Sequence, residues 1–170
     1  MLLLDRQGAK DDAFAAIGEN GERAAGKAPI VPLAALDAEL AAAKGAPVGV
    51  LVENSVKTTD VEPYFSKVAL IAIRFPSATD GRGFSLARQL RQRGFTGLLR
   101  ASGPLFSDQF PQALACGFDE VEIPDANAAR QPVEQWLAAR DRITLAYQRH
   151  NGLGDSIVER RRARQGEKNV

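Results

Sequence analysis

Between Val48 and Ile123, apolar runs of strand length alternate with stretches of helical spacing. Val48-Gly49-Val50-Leu51-Val52 is a continuous apolar run, the pattern of a strand buried on both faces. Asp60 then starts a short helix through Lys67, with Val61, Tyr64, Phe65 and Val68 at helical spacing. Val68 to Ile73, the most apolar six-residue run, predicts the next strand. Gly83 to Arg93 predicts a helix that turns Phe84, Leu86, Ala87 and Leu90 inward and stops at Gly94. Gly97 to Ala101 is a shorter strand, and Ser107 caps a helix that ends at Cys116-Gly117. Glu120 to Ile123 is strand-like. Pro132 opens a last helix whose stripe runs through Val133, Trp136, Leu137, Arg140, Ile143, Thr144 and Tyr147.

The N-terminal part has weaker periodicity. Leu2 to Leu4 predicts a short edge strand, and Gly18 to Gly26 a mobile loop. Ile30 to Leu33 is extended, and Ala34 to Ala43 is helical until Gly45 and Pro47 stop it. Three regions are therefore expected: an edge strand and loop over 1–28, one α/β domain over 29–150, and a basic, flexible tail over 151–170. Strand–helix alternation with short connections predicts an α/β fold, a mostly parallel sheet of four or five strands flanked by helices. Flavodoxin- or Rossmann-like layering is the first expectation, and a half-barrel-like arrangement is the alternative.

Composition narrows the chemistry. The 170 residues include one cysteine, Cys116, and one histidine, His150. One cysteine excludes an intrachain disulfide and any CxxC-type metal or iron–sulfur site. One histidine argues against multi-histidine metal cages and against a Ser-His-Asp triad. No metal site and no cofactor are predicted. No apolar run is long enough to span a membrane, so a cytoplasmic protein without a membrane partner is expected. A net charge of +1 argues against a general nucleic-acid binder. An oligomer is compatible with a short sheet that has an apolar edge.

That near-neutral charge is unevenly spread. Six arginines and one acid lie between Arg74 and Arg100, whereas Asp108 to Asp125 holds five acids and no base. The tail carries Arg160, Arg161, Arg162 and Arg164. Any affinity for anions must therefore be local.

The sharpest local segment is Ser77-Ala78-Thr79-Asp80-Gly81-Arg82-Gly83, between a buried strand and an amphipathic helix. Thr79 or Asp80 can cap the helix, and Gly81 and Gly83 allow close backbone approach. Free amides at a helix start favour an anion, and Arg82 adds a forked donor. Arg74 and Arg100, near the ends of successive strands in the sequence, are candidate walls of the same site. Asp108 and Gln109 open the following helix at the same end of the sheet. Asp80 and Asp108 are the candidate acid–base groups. The plain alternative is a helix-start turn in which Asp80 caps and Arg82 is solvated. Arg88, Arg91 and Arg93 read as a solvated helix face, and Cys116 as a small buried hydrophobe.

Several of these motifs occur together in one known family. Arg74-Phe75-Pro76, Thr79-Asp80-Gly81-Arg82-Gly83-Phe84-Ser85, Leu90-Arg91, Gly94-Phe95, Leu99-Arg100-Ala101, Asp108-Gln109 and Cys116-Gly117-Phe118-Asp119 resemble the bacterial domain-of-unknown-function 934 family. The close resemblance covers about residues 70–120, and a looser one runs from Ile30 to Tyr147. Members are described as proteins probably involved in sulfite reduction. The family pattern commonly has an aromatic at Ala78, an acid at Leu98 and an aspartate at Pro104, so carboxylates are missing here at 98 and 104.

The resemblance implies a place beside assimilatory sulfite or sulfate reduction and a partner protein from that pathway. It does not imply the redox step, because siroheme and iron–sulfur chemistry need several cysteines. The first expectation is an accessory or anion-binding protein. A small enzyme acting on a phosphate- or sulfur-oxyanion-bearing substrate is the second, and a protein-interaction module is the third.

Overall fold

Hydrophobic strands at the centre of the sequence become the centre of one curled sheet. The computed structural model describes residues 1–18 and 20–142. Its strands are β1 (Leu2–Asp5), β2 (Gly8–Ala9), β3 (Phe14–Ala16), β4 (Ala28–Pro32), β5 (Gly49–Glu53), β6 (Leu70–Arg74), β7 (Leu98–Ser102) and β8 (Glu120–Ile123). The helices are α1 (Leu36–Ala43), α2 (Thr58–Val61), α3 (Arg82–Gln92), α4 (Phe110–Cys116), α5 (Asp125–Ala128) and α6 (Val133–Arg142). All eight strands share one sheet, in the order β2-β1-β8-β7-β6-β5-β4-β3. Strands β3 to β8 run parallel in sequence order. β1 lies antiparallel to both β8 and β2.

Sequential order has a direct consequence. Parallel crossovers are right-handed, so consecutive neighbours place their connecting helices on the same face. Val50, Val52, Ile71, Ile73, Leu99, Ala101, Val121 and Ile123 accordingly share one core with Phe84, Leu90, Phe110 and Trp136 from the helices. The opposite face carries a separate small cluster, Phe14, Ile30, Leu70 and Ala72, to which only strands contribute.

The architecture is therefore α/β with a curled half-barrel sheet, the arrangement expected as the alternative. Two-sided layering of the flavodoxin or Rossmann kind is not found, because the strand order never reverses about a central strand. The sheet is also mixed, and larger than the expected four or five strands. The strands not expected, β2 and β3, are two and three residues long, too short to show a periodicity. Leu2 to Leu4, expected at an edge, pairs on both sides, with β8 and with β2.

The curl is closed by a strap. β2 and β3 occupy opposite edges of the sheet, yet only Lys10 to Ala13 separate them in sequence. Five residue steps reach at most about 18 Å, so the two edges approach each other across the concave side. The strap is tied at both ends, by the Lys10 N–H to the Leu3 carbonyl and by the Ala28 N–H to the Ala13 carbonyl.

Helix α3 buries Gly83, Phe84, Leu86, Ala87 and Leu90, as its spacing predicts. Trp136 of α6 is fully buried, edge-on to Phe110, and its indole N–H donates to the Gln131 carbonyl at 3.2 Å. His150, the tail over 151–170 and the stripe positions from Ile143 onward lie outside the described residues. No helix among the described residues is long and apolar enough to cross a membrane.

Candidate functional site

Alternation along the strands decides what faces the concave side. Ile71, Ile73, Leu99, Ala101, Val121 and Ile123 point to the helices, so Ala72, Arg74, Arg100, Ser102, Glu120 and Glu122 point the other way. The concave face is thus apolar near β4 to β6 and charged near β7 and β8.

Its charged half is an ion network. Arg100 is 1% exposed. Its Nε donates to Glu120 Oε1 at 2.8 Å. Its two terminal nitrogens donate to Asp12 of the strap at 2.6 and 2.8 Å, a bidentate pair. Lys10, also in the strap, holds the other Glu120 oxygen at 3.0 Å. Burial acts to raise the Asp12 carboxyl, but the Arg100 hydrogen bond, the Phe14 N–H and the charges of Arg100 and Lys27 outweigh it. Asp12 therefore titrates below its ordinary range. Burial acts to lower the Arg100 guanidinium, and Asp12 and Glu120 more than compensate.

A cavity of about 490 Å³ opens beside this network, at the carboxyl ends of the strands. Arg74, Arg100, Ser102, Glu122 and Asp12 line its polar side. Ile30, Leu51, Ala72 and Pro76 line its apolar side. The volume suits a small organic ligand. Across the rim, Glu53, Arg74, Ser102 and Glu122 stand in register on adjacent strands. Arg74 is half-exposed and meets Glu53 at 3.1 Å. Ser102 Oγ donates to Glu122 Oε2 at 2.7 Å.

The segment after β6 forms a second, separate group. Asp80 Oδ2 accepts from Arg82 Nη2 at 2.7 Å, and Asp80 Oδ1 accepts from the Arg82 backbone N–H at 3.3 Å. The Arg82 side chain, then the Asn54 amide, hold the Asp80 carboxyl far below its ordinary range. Asn54 is buried, and its amide nitrogen lacks a hydrogen bond of full geometry. Thr79 Oγ1 meets Ser77 Oγ at 2.9 Å. Gln109 Nε2 donates to the Ala78 carbonyl at 2.8 Å, and Gln109 Oε1 accepts from the Phe106 N–H at 2.9 Å. Gln109 thus ties the turn before α4 to the turn before α3. Gly81 lies at the start of α3. A Cβ on Gly83 would come within 2.4 Å of the Phe75 ring, so this glycine serves packing. Asp108 is exposed and forms no ion pair with Arg74, Arg82 or Arg100.

The structure therefore brings Arg74 and Arg100 to one cavity and collects Thr79, Asp80, Gly81, Arg82 and Gln109 at the neighbouring turn. Sequence reasoning missed Asp12, Ser102, Glu120 and Glu122 as site residues. The available signal was the alternation of Glu120 and Glu122 with Val121 and Ile123, which places acids on one face of a buried strand. Among the described residues, no group of acids, histidine and cysteine could hold a metal ion.

The sequence around the cavity and the turn also matches a known family. The model of a family described as bacterial protein of unknown function, DUF934, matches residues 49–156. The chain belongs to this family. In this DUF934 member the matched span contains β5 to β8, the turn before α3 and the cavity wall from Arg74 to Glu122, whereas Lys10, Asp12 and Ile30 lie outside it. No curated protein matches the chain.

Proposed function

We propose that this DUF934 protein is a non-redox accessory protein of assimilatory sulfite or sulfate reduction that binds a small anionic molecule in the concave cavity. The observation that carries the reading is Arg74. Its guanidinium lines the cavity, and its partner Glu53 is exposed, so the pair is weakly held and open to exchange for a ligand anion. Arg100 serves as the fixed wall behind it, since Asp12 and Glu120 already engage all three of its nitrogens. Arg82 organises the α3 turn through Asp80.

Titration calorimetry with sulfite, sulfate, phosphate and adenylated sulfate tests this. Binding that disappears in Arg74→Ala and persists in Arg82→Ala is the expected result. Binding lost in Arg82→Ala and retained in Arg74→Ala overturns the cavity assignment in favour of the α3 turn.

A small enzyme acting on an anionic substrate is the second reading. Glu122 favours it, as a half-buried carboxylate facing the cavity beside a hydroxyl. Asp80 suits acid–base work poorly, because Arg82 keeps it ionised.

A further inference from the structure

The charged groups on the cavity wall do not all satisfy one another. Arg100 spends its Nε on Glu120 and both terminal nitrogens on Asp12. Lys10 takes the remaining Glu120 oxygen. Setting aside these internal pairs, and the Met1 ammonium held by Asp125, leaves Arg74 and Glu122 as the charged residues lining the cavity. The cation is Arg74, shared only with exposed Glu53. The anion is Glu122. Its Oε2 accepts from Ser102, but its Oε1 stands 4.0 Å from Arg100 Nη1, beyond hydrogen-bonding distance.

Register places both on one face of the sheet. Arg74 pairs with Ser102, and Ser102 with Glu122, on three adjacent strands and the same face. Two strand spacings put the backbones of Arg74 and Glu122 about 9.5 Å apart. A lone anion on Arg74 would face the Glu122 carboxylate across the gap, and a lone amine on Glu122 would face Arg74. A molecule carrying both charges meets neither penalty. The apolar wall of Ile30, Leu51 and Ala72 then has hydrocarbon to cover.

We infer that the cavity takes a compact zwitterion, a free amino acid with a small aliphatic side chain. Its carboxylate sits on Arg74, its ammonium on Glu122 Oε1, and its hydrocarbon against the β4–β6 wall. This rests on the cavity reading above and adds the second half of the ligand.

The test is calorimetric titration of the full chain with the common amino acids, one at a time. The tightest binder is then compared with its deamino acid and with its decarboxylated amine. The amino acid is expected to bind about tenfold tighter than either, the worth of one charge-assisted hydrogen bond. Glu122→Gln is expected to abolish the preference over the deamino acid, and Arg74→Ala the preference over the amine. Equal binding of amino acid and deamino acid overturns the zwitterion and leaves the anion reading standing. Binding of phosphate or sulfite with no amino acid bound does the same. Equal binding of the amine overturns both. The ligand series on the unaltered chain decides these outcomes even where a variant fails to fold.

Discussion

Arg100 of β7 and Asp12 of the strap meet through two parallel hydrogen bonds, 2.6 and 2.8 Å long, across the concave side of the sheet. Residues 88 positions apart are thereby joined inside the curl. The pair, with Glu120 and Lys10 beside it, holds the strap over the cavity's polar wall.

Arg100→Met is expected to destabilise the fold by about 3–5 kcal/mol, because it leaves Glu120, which is 1% exposed, with the Lys10 ammonium alone and takes both hydrogen bonds from Asp12. Arg100→Lys should recover little, since an ammonium cannot serve Glu120 and both Asp12 oxygens in one plane. Urea denaturation midpoints measure both effects. A stability equal to wild type in Arg100→Met would show that the network adds nothing to folding.

Acid should release the strap below the ordinary aspartate range. Asp12 is depressed in the folded state from its usual 3.8. Its contribution is therefore complete above that value and is lost as pH falls through the lower folded value. Asp12→Asn lacks the contribution at every pH. Its stability is expected to fall below wild type near neutrality and to converge with it in strong acid. Parallel curves across that window would remove Asp12 from the linkage.

Arg91 is expected to behave as a structural staple. It was expected on a solvated face, but its Nε donates to the Gly117 carbonyl and its Nη1 to the Phe95 and Gly97 carbonyls. Its Nη2 meets Asp119 at 2.6 Å. Arg91→Ala should cost about 1.5–3 kcal/mol, with Arg91→Lys no better than partial rescue. Arg88→Ala, on the same helix, should stay within about 0.5 kcal/mol of wild type. Thermal melting of the three variants separates them.

Gly103 follows β7 at the cavity rim, with φ +146°. A Cβ there would stand 2.2 Å from the Phe75 carbonyl oxygen. Gly103→Ala should therefore lose at least about 1–3 kcal/mol by overpacking, before backbone strain is counted. Melting temperature reports it, and an unchanged value would mean the β6 end yields freely.

Cys116 is half-buried, and burial raises its thiol pKa while Arg88 acts weakly against it. Alkylation of the native protein near neutral pH should be slower than that of the unfolded chain. Faster labelling of the native form would contradict this.

Strands with their own periodicity were legible before any coordinates. Val50 and Val52, Ile71 and Ile73, and Val121 and Ile123 all lie in β-strands where the apolar runs predict them, and Phe84, Ala87 and Leu90 face inward from α3. β2 and β3 were not legible, because two or three residues carry no period. Their pairing is imposed by neighbours such as Ala28, far along the chain. The cavity wall was half legible. Arg74 and Arg100 were singled out by charge, whereas Asp12 is one of two adjacent aspartates in a polar stretch, and only the closure of the sheet brings it to Arg100.

The strap also sets the order in which this molecule can be completed. β1 pairs locally with β2, but its place in the sheet is beside β8, Leu2 opposite Ile123, so the β1–β2 hairpin cannot join the sheet until the chain has been made through Ile123. β4 to β7 can assemble from near neighbours as they emerge, but β1, β2 and the strap must wait. Long-range closure of this kind is slow, because loop entropy is spent before the contact forms. On the ribosome, the β1–β2 edge of the sheet thus emerges before β8 and takes its place after it.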